Sequence, residues 1–243
     1  MNKKLKDDVL KKAQDWFEKT ISINHIKNTK KLINPNEFNI NPFLSVYLAN
    51  FLSGSASAEN IAKALVYPRV LGTSITTSFG QNMQSFTNDV LSSFGSTTSG
   101  IDIEFKDALD YEKKYYQLKA GPNTINKDDV ETIAGHFTSI INLGRTNNLK
   151  ISFDNLIVGI LYGEPQDSSS HYKRITSQYH YPVIIGKEFW HRLTGDAEFY
   201  VDLIKCIGEV ANKANFKKEL ENVIQKLSES PEIIKLAKEV SES

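Results

Sequence analysis

Residues 100–122 read Gly-Ile-Asp-Ile-Glu-Phe-Lys-Asp-Ala-Leu-Asp-Tyr-Glu-Lys-Lys-Tyr-Tyr-Gln-Leu-Lys-Ala-Gly-Pro and contain two short runs with a period of two. Residues 101–105 alternate apolar with acidic side chains, and residues 115–119 alternate again with β-favouring aromatics, the pattern of half-buried strands. The polar stretch 106–113 between them suits a hairpin connection. Within a strand, residues two apart share a face. Asp102 and Glu104 therefore project together, and so do Gln117 and Lys119. If the hairpin pairs with those faces matched, one patch gathers two carboxylates, an amide oxygen and an ammonium. Hard oxygen donors of this kind suit Mg²⁺, which keeps several waters and takes one or two protein carboxylates. The plain alternative is an exposed hairpin whose charged face meets water.

The rest of the chain narrows the choice. Its 243 residues, 40% of them hydrophobic, can bury a sizeable core. We expect a single domain over 1–243, with a helical N-terminal arm over 1–40 and a helical extension over 196–243. No apolar run approaches membrane-spanning length, and the lysine-rich start lacks the apolar core of a signal peptide, so a cytoplasmic location is expected. The single cysteine, Cys206, excludes an internal disulfide and a cysteine-based zinc cluster. Its apolar neighbours suit a core position. A formal net charge of zero means that any surface for DNA has to be local. No Gly-x-x-x-x-Gly-Lys-[Ser/Thr] loop occurs, which argues against a nucleotide-driven motor. No convincing Ser-His-Asp or Cys-His arrangement is present.

Taken in order, residues 3–20 form an amphipathic helix with Val9, Leu10, Ala13, Trp16 and Phe17 on one side. Prolines and asparagines at 34–36 and 39–42 mark turns. A helical segment, 44–66, is interrupted at Ser53-Gly54-Ser55 and ends at Tyr67-Pro68-Arg69-Val70. Residues 71–80 are small, uncharged and hydroxyl-rich, and are expected to be a loop able to approach a phosphate. A helix over 81–93 leads into the hairpin. After Lys119 a turn leads to a helix capped near Asn126, with Ile133, Phe137, Ile140 and Ile141 as its buried stripe; His136, beside that stripe, receives no role. The apolar run 155–163 has the signature of a central strand covered on both faces. A polar loop over 168–174, a short strand over 182–185, a helix opening at Gly186 and two amphipathic helices over 196–213 and 215–239 complete the chain.

The Asp102…Gln117-x-Lys119 pattern resembles the PD-(D/E)XK nuclease superfamily, in which an Asp begins one strand and an acid-x-Lys triplet lies on the next. Gln117 departs from the more usual Glu and removes one negative charge, which leaves room for a further acid; Glu104 is nearest, with Glu59 and Asp89 as other candidates. Further blocks occur in a fixed order: Asn41-Pro42-Phe43, Pro68-Arg69-Val70, Leu118-Lys119-Ala120-Gly121, the 157–163 run and Gly186-Lys187-Glu188-Phe189-Trp190. Together they resemble type II restriction endonucleases that cut sites built on a GGNCC core, over about residues 40–195.

The resemblance implies an α/β, three-layer restriction-endonuclease-like fold, a central mixed sheet flanked by helices. It implies sequence-specific, Mg²⁺-dependent hydrolysis of double-stranded DNA, with Asp102, Gln117 and Lys119 catalytic. The metal ligands would be Asp102, Gln117 and the Leu118 backbone carbonyl. Loops flanking the metal site would reach the groove, which nominates Asn123, Thr124, Asn126 and Lys127, and Lys173, Arg174 and Gln178. Lys173 and Arg174 suit guanine O6 and N7, and Lys127 suits phosphate. A palindromic site implies a homodimer, for which the C-terminal helices offer apolar side chains. A cognate DNA methyltransferase would act on the same site without a stable complex. Other readings are a repair, junction-resolving or modification-dependent nuclease on the same fold, a DNA-binding module silenced at Gln117, or a helical interaction protein with an incidental hairpin.

Overall fold

The computed structural model describes residues 3–148, 150–213 and 216–241. In chain order the helices are α1 (Lys3–Trp16), α2 (Ile23–Lys31), α3 (Pro42–Ser53), α4 (Ala58–Leu71), α5 (Thr73–Gln81) and α6 (Met83–Val90). The strands β1 (Ile103–Lys106) and β2 (Lys113–Lys119) follow, then α7 (Lys127–Thr146), β3 (Leu156–Ile160), α8 (Ser170–Tyr179) and β4 (Val183–Ile185). The chain closes with α9 (Lys187–Thr194), α10 (Phe199–Lys213), α11 (Phe216–Ser228) and α12 (Pro231–Ser241). It divides into two compact units: Met1–Trp16 with Asn82–Ile207, and Phe17–Gln81 with Gly208–Ser243.

The first unit is built on a four-stranded sheet in the order β1-β2-β3-β4. β1 pairs antiparallel with β2, Ile103 opposite Tyr116. β2, β3 and β4 are parallel, with Gln117 opposite Val158 and Ile160 opposite Ile185. This is the expected mixed α/β sheet, and β3 is buried at every residue. On one face Val158 and Ile160 pack with Ile133, Phe137 and Ile140 of α7 and with Tyr172 and Ile175 of α8. On the other, Tyr116 stacks on Phe105 at 4.8 Å and meets Phe189 of α9 edge-on. Trp190 donates from Nε1 to the Leu161 carbonyl at 2.9 Å, closing the end of β3. Beyond it a Cβ on Gly186, whose φ is +53°, would lie 2.3 Å from the Gly163 carbonyl oxygen. Glycine is required where those two turns touch.

The second unit is helical. Ile61, Ala62 and Val66 of α4 pack with Val223, Ile224 and Leu227 of α11 and Ile233 of α12. Asn41 caps α3 by accepting from the Leu44 amide at 3.2 Å, Pro42 takes the first turn, and Gly54 ends the helix at φ +74°. Each of these follows its usual end preference.

Several local expectations are corrected. The π-helical stretch Phe17–Ser22 follows α1 and leads into α2, so helix continues past residue 20. α4 runs on through Pro68 to Leu71. Residues 71–80 are not a loop: α5 occupies them, with Ile75, Ser78 and Phe79 half-buried at i, i+3, i+4 spacing. The side chains of Thr73 and Ser74 in that stretch lie outside the described residues. Residues 170–179 are helical too, because Tyr172 and Ile175 supply a buried stripe three residues apart under the polar surface. The last expected helix is two, α11 and α12, separated before Pro231. Cys206 is half-buried, its Sγ 3.3 Å from the Leu10 carbonyl.

Candidate active site

The polar face of the hairpin is placed by its register. Asp102 immediately precedes β1, and its amide donates to the Tyr116 carbonyl at 3.0 Å. The paired register ends at Ile103 opposite Tyr116, and the Asp102 side chain reaches across the hairpin to the Leu118 backbone instead. Gln117 and Lys119 lie two apart on β2 and share the face that α7 covers. Glu104, opposite Tyr115 in the register, lies on the same face as Gln117 and Lys119, while Asp102 lies at the strand edge beyond the paired register.

Asp102 is half-buried, and its Oδ2 accepts from the Leu118 amide at 2.6 Å. Burial pushes its carboxyl up from the ordinary range, against the Leu118 N–H and the charges of Lys119 and His136. Gln117 Oε1 is buried and accepts no hydrogen bond among the described residues, while its Nε2 lies 3.5 Å from His136 Nδ1. Leu118 directs its N–H to the β1 edge, and the carbonyl of a strand residue points to the same edge as its N–H. There the Leu118 carbonyl lies beside Asp102, just before β1 begins. Lys119 is half-buried, with Nζ 3.9 Å from Asp129 Oδ1.

Glu104 is differently placed. Its Oε1 accepts from Lys113 Nζ at 2.8 Å and its Oε2 from Ser96 Oγ at 2.8 Å. Burial works against the charge, but Lys113 and Ser96 outweigh it and hold the carboxyl below its ordinary range. Both oxygens of Glu104 are thus engaged. Glu59 is paired with Lys63 at 2.6 Å in the second unit, and Asp89 accepts from Ser85 Oγ at 2.9 Å on α6. A cleft lined by Gln84, Asn88, Ser92, Ser96 and Asp102 opens beside the Asp102 carboxylate.

No cluster of three or more His, Cys, Asp or Glu suited to a metal occurs among the described residues. The oxygens available at the hairpin are the Asp102 carboxylate, the Gln117 amide oxygen and the Leu118 carbonyl. A buried amide oxygen without a donor is costly unless something else satisfies it. An all-oxygen set with one charge fits a hard cation that keeps most of its waters.

The nominated DNA-contacting residues divide into two groups. Asn126 is engaged as the cap of α7, accepting from the Asp128 and Asp129 amides at 2.8 and 3.0 Å. Thr124 donates to the Gly121 carbonyl at 2.9 Å and lies 3.1 Å from the Tyr172 hydroxyl. Arg174 donates from Nε to Gln178 Oε1 at 2.6 Å, and its guanidinium lies 3.6 Å from Glu131. Asn123, Lys127 and Lys173 are exposed. The residue that sequence reasoning passed over is His136. Its place on the exposed flank of α7 carries no periodic signal, and only the packing of α7 on β2 sets it beside Gln117.

No curated protein sequence matches the chain. The sequence model of the family described as Type II restriction endonuclease EcoO109I matches residues 3–215, a span that includes the whole sheet and the Asp102–Lys119 hairpin. The chain belongs to this type II restriction endonuclease family.

Proposed function

We propose that the protein cuts both strands of duplex DNA at a short palindrome with a GGNCC-like core, using Mg²⁺ held by Asp102, Gln117 and the Leu118 carbonyl. The observation that carries this reading is Gln117 Oε1, buried and without a donor, across the hairpin from a carboxylate that burial has left poorly solvated. A divalent ion bound there would polarise the scissile phosphate and lower the pKa of a coordinated water. The Leu118 amide fixes one oxygen of Asp102 and leaves the other for the ion. Lys119, tethered only at 3.9 Å to Asp129, can turn its ammonium toward the phosphate and offset the charge that develops there. No covalent intermediate is involved. Glu104 takes no part, since Lys113 and Ser96 occupy it.

Lys173 and Arg174 remain the candidates for guanine and Lys127 for phosphate, with Asn123 as a further exposed contact. Arg174 would exchange Gln178 and Glu131 for the base. Losing a bidentate base contact costs about 1–3 kcal/mol and relaxes preference at one position, whereas losing a phosphate contact weakens all sequences alike.

Two-fold symmetry suits a palindrome, and we infer a homodimer. The C-terminal helices are poor candidates for its interface, because Val223, Ile224 and Leu227 are buried in the second unit's own core. α3 offers more. It buries the small Ser45 and Ala49 and exposes Phe43, Leu44, Tyr47, Leu48, Phe51 and Leu52, with Phe43 85% and Phe51 78% accessible. The helix carries no charged residue, so a second copy of the same face can meet it without like-charge repulsion. Replacing Phe43 and Phe51 together by Asp should give a monomeric mass; an unchanged dimer would move the interface. A cognate methyltransferase would protect the same site in the cytoplasm.

Digestion of a sequenced phage genome with Mg²⁺, and with chelator as control, tests the reading. Ends that share one short palindrome with a GGNCC core support it. Absence of cleavage, cleavage without a common sequence, or cleavage only of modified DNA would overturn it.

A further inference from the structure

We propose that His136 is a positioning residue of the cation site: its ring holds the Gln117 amide so that the oxygen, and not the NH₂ group, is presented to the ion. This rests on the reading of Asp102, Gln117 and Lys119 as the active site. A Glu at this position would offer oxygen from either end of its carboxylate. A Gln has one acceptor end and one donor end, so a site built on Gln needs a partner that tells them apart. His136 Nδ1 faces Gln117 Nε2 at 3.5 Å, and an Nδ1 that accepts from the amide leaves the ring proton on Nε2. The contact is long, but the ring is confined from a second side. Gly100 has φ +79°, and a Cβ there would lie 2.8 Å from the His136 Cγ. The ring thus packs against the backbone two residues before Asp102, where only glycine fits.

Asp129 and His136 are seven residues apart on α7, two turns along one face. Asp129 approaches Lys119 and His136 approaches Gln117. One face of α7 therefore meets both functional residues of the Gln-x-Lys triplet. His136 stays open to solvent on its outer side, yet its ring touches both the left-handed glycine and the Gln117 amide.

Mn²⁺ titrated into the full chain, followed by calorimetry or by the loss of its free paramagnetic signal, tests the proposal without relying on cleavage. His136→Ala should weaken Mn²⁺ binding about 10–100-fold, the usual effect of losing a group that orients a ligand. His136→Asn, whose side-chain oxygen can replace Nδ1, should recover most of the affinity. In a Gln117→Glu background the loss from His136→Ala should shrink severalfold, because a carboxylate needs no such orientation. Unchanged affinity in both His136→Ala and His136→Asn would overturn the proposal. An equal loss from His136→Ala in the wild-type and Gln117→Glu backgrounds would also overturn it, by making the role merely structural. Full Mn²⁺ affinity in Asp102→Ala would instead remove the active-site reading beneath it.

Discussion

Asp102, just before β1, and Glu104, within it, stand two residues apart, yet they sit in opposite environments. Glu104 has a donor for each oxygen, Lys113 and Ser96, and its carboxyl is held below the ordinary range. Asp102 has one backbone donor, and burial pushes its carboxyl up. Glu104 is a satisfied carboxylate that ties β1 to β2. Asp102 is a desolvated carboxylate with one backbone donor, and on β2 the Gln117 amide oxygen has no donor among the described residues. Stability favours the first arrangement, and a site that must take up a cation requires the second. Asp107 extends the contrast. It is fully buried, yet Arg192 Nη1 at 3.0 Å and the Leu109 amide at 2.8 Å satisfy it. Burial alone does not set Asp102 apart from Asp107; the number of protein donors does.

The largest expected effect separates the two hairpin acids by activity. Asp102→Asn should abolish cleavage yet keep sequence-specific DNA binding, and should raise the melting temperature of the metal-free protein by removing a poorly solvated charge. Lys119→Ala should reduce the cleavage rate about 10²–10³-fold, as loss of a charge-stabilising donor does. Single-turnover plasmid cleavage and thermal scans read both. Near wild-type rates in either variant would place the active site elsewhere.

Next in size is Asp107→Ala, which removes the buried partner of Arg192 and leaves the guanidinium to Glu188 at 3.0 Å and Asp110 at 3.7 Å. Losing one charge-assisted hydrogen bond while Arg192 keeps those two acids costs about 1.5–3 kcal/mol, read by denaturant unfolding of the first unit. A loss below about 1 kcal/mol would mean that Asp107 does not anchor the hairpin connection. Gln117 gives a more graded test. Gln117→Ala should lose most activity, whereas Gln117→Glu should keep activity or shift metal preference; equal rates for Gln117→Ala and wild type would exclude the amide as a ligand.

The smallest effect belongs to Glu104. Glu104→Gln should leave cleavage within a few-fold of wild type and cost about 0.5–1 kcal/mol, the scale of a half-exposed ion pair. Its pH dependence has a defined sign. The folded carboxyl pKa lies below the unfolded one, so this stabilisation is present above the ordinary carboxylate range and lost as pH falls through the folded value. Acid unfolding of Glu104→Gln should therefore be less steep in that window than in wild type, and an identical profile would remove the pair from the stability of the hairpin.

Much of this arrangement is legible before folding. The period of two reads Glu104, Gln117 and Lys119 onto one face, because alternation is a property of the strand itself, whereas Asp102 lies just before β1 and outside its register. The continuous apolar run through Leu156–Ile160 reads as an interior strand for the same reason. Helix against loop is harder to read. Residues 71–80 and 168–178 are rich in Ser, Thr and Gly, which speak for loops, and the few apolar side chains that set helical packing, Phe79 and Tyr172 among them, are outnumbered. Tertiary burial overrides propensity there. The environment of each acid is not legible at all. Nothing local distinguishes Glu104 from Asp102, marks Asp107 as buried, or brings His136 to Gln117, since the partners that decide these environments, from Ser96 of Glu104 to Arg192 of Asp107, lie 8 to 85 residues away in the chain.

Calorimetric titration of Mg²⁺ into wild type, Asp102→Asn and Glu104→Gln, each complexed with the mapped duplex recognition site carrying a non-cleavable linkage, tests the central contrast most directly. The account predicts that wild type and Glu104→Gln bind the ion alike and that Asp102→Asn does not bind it. Binding retained in Asp102→Asn and lost in Glu104→Gln would contradict it.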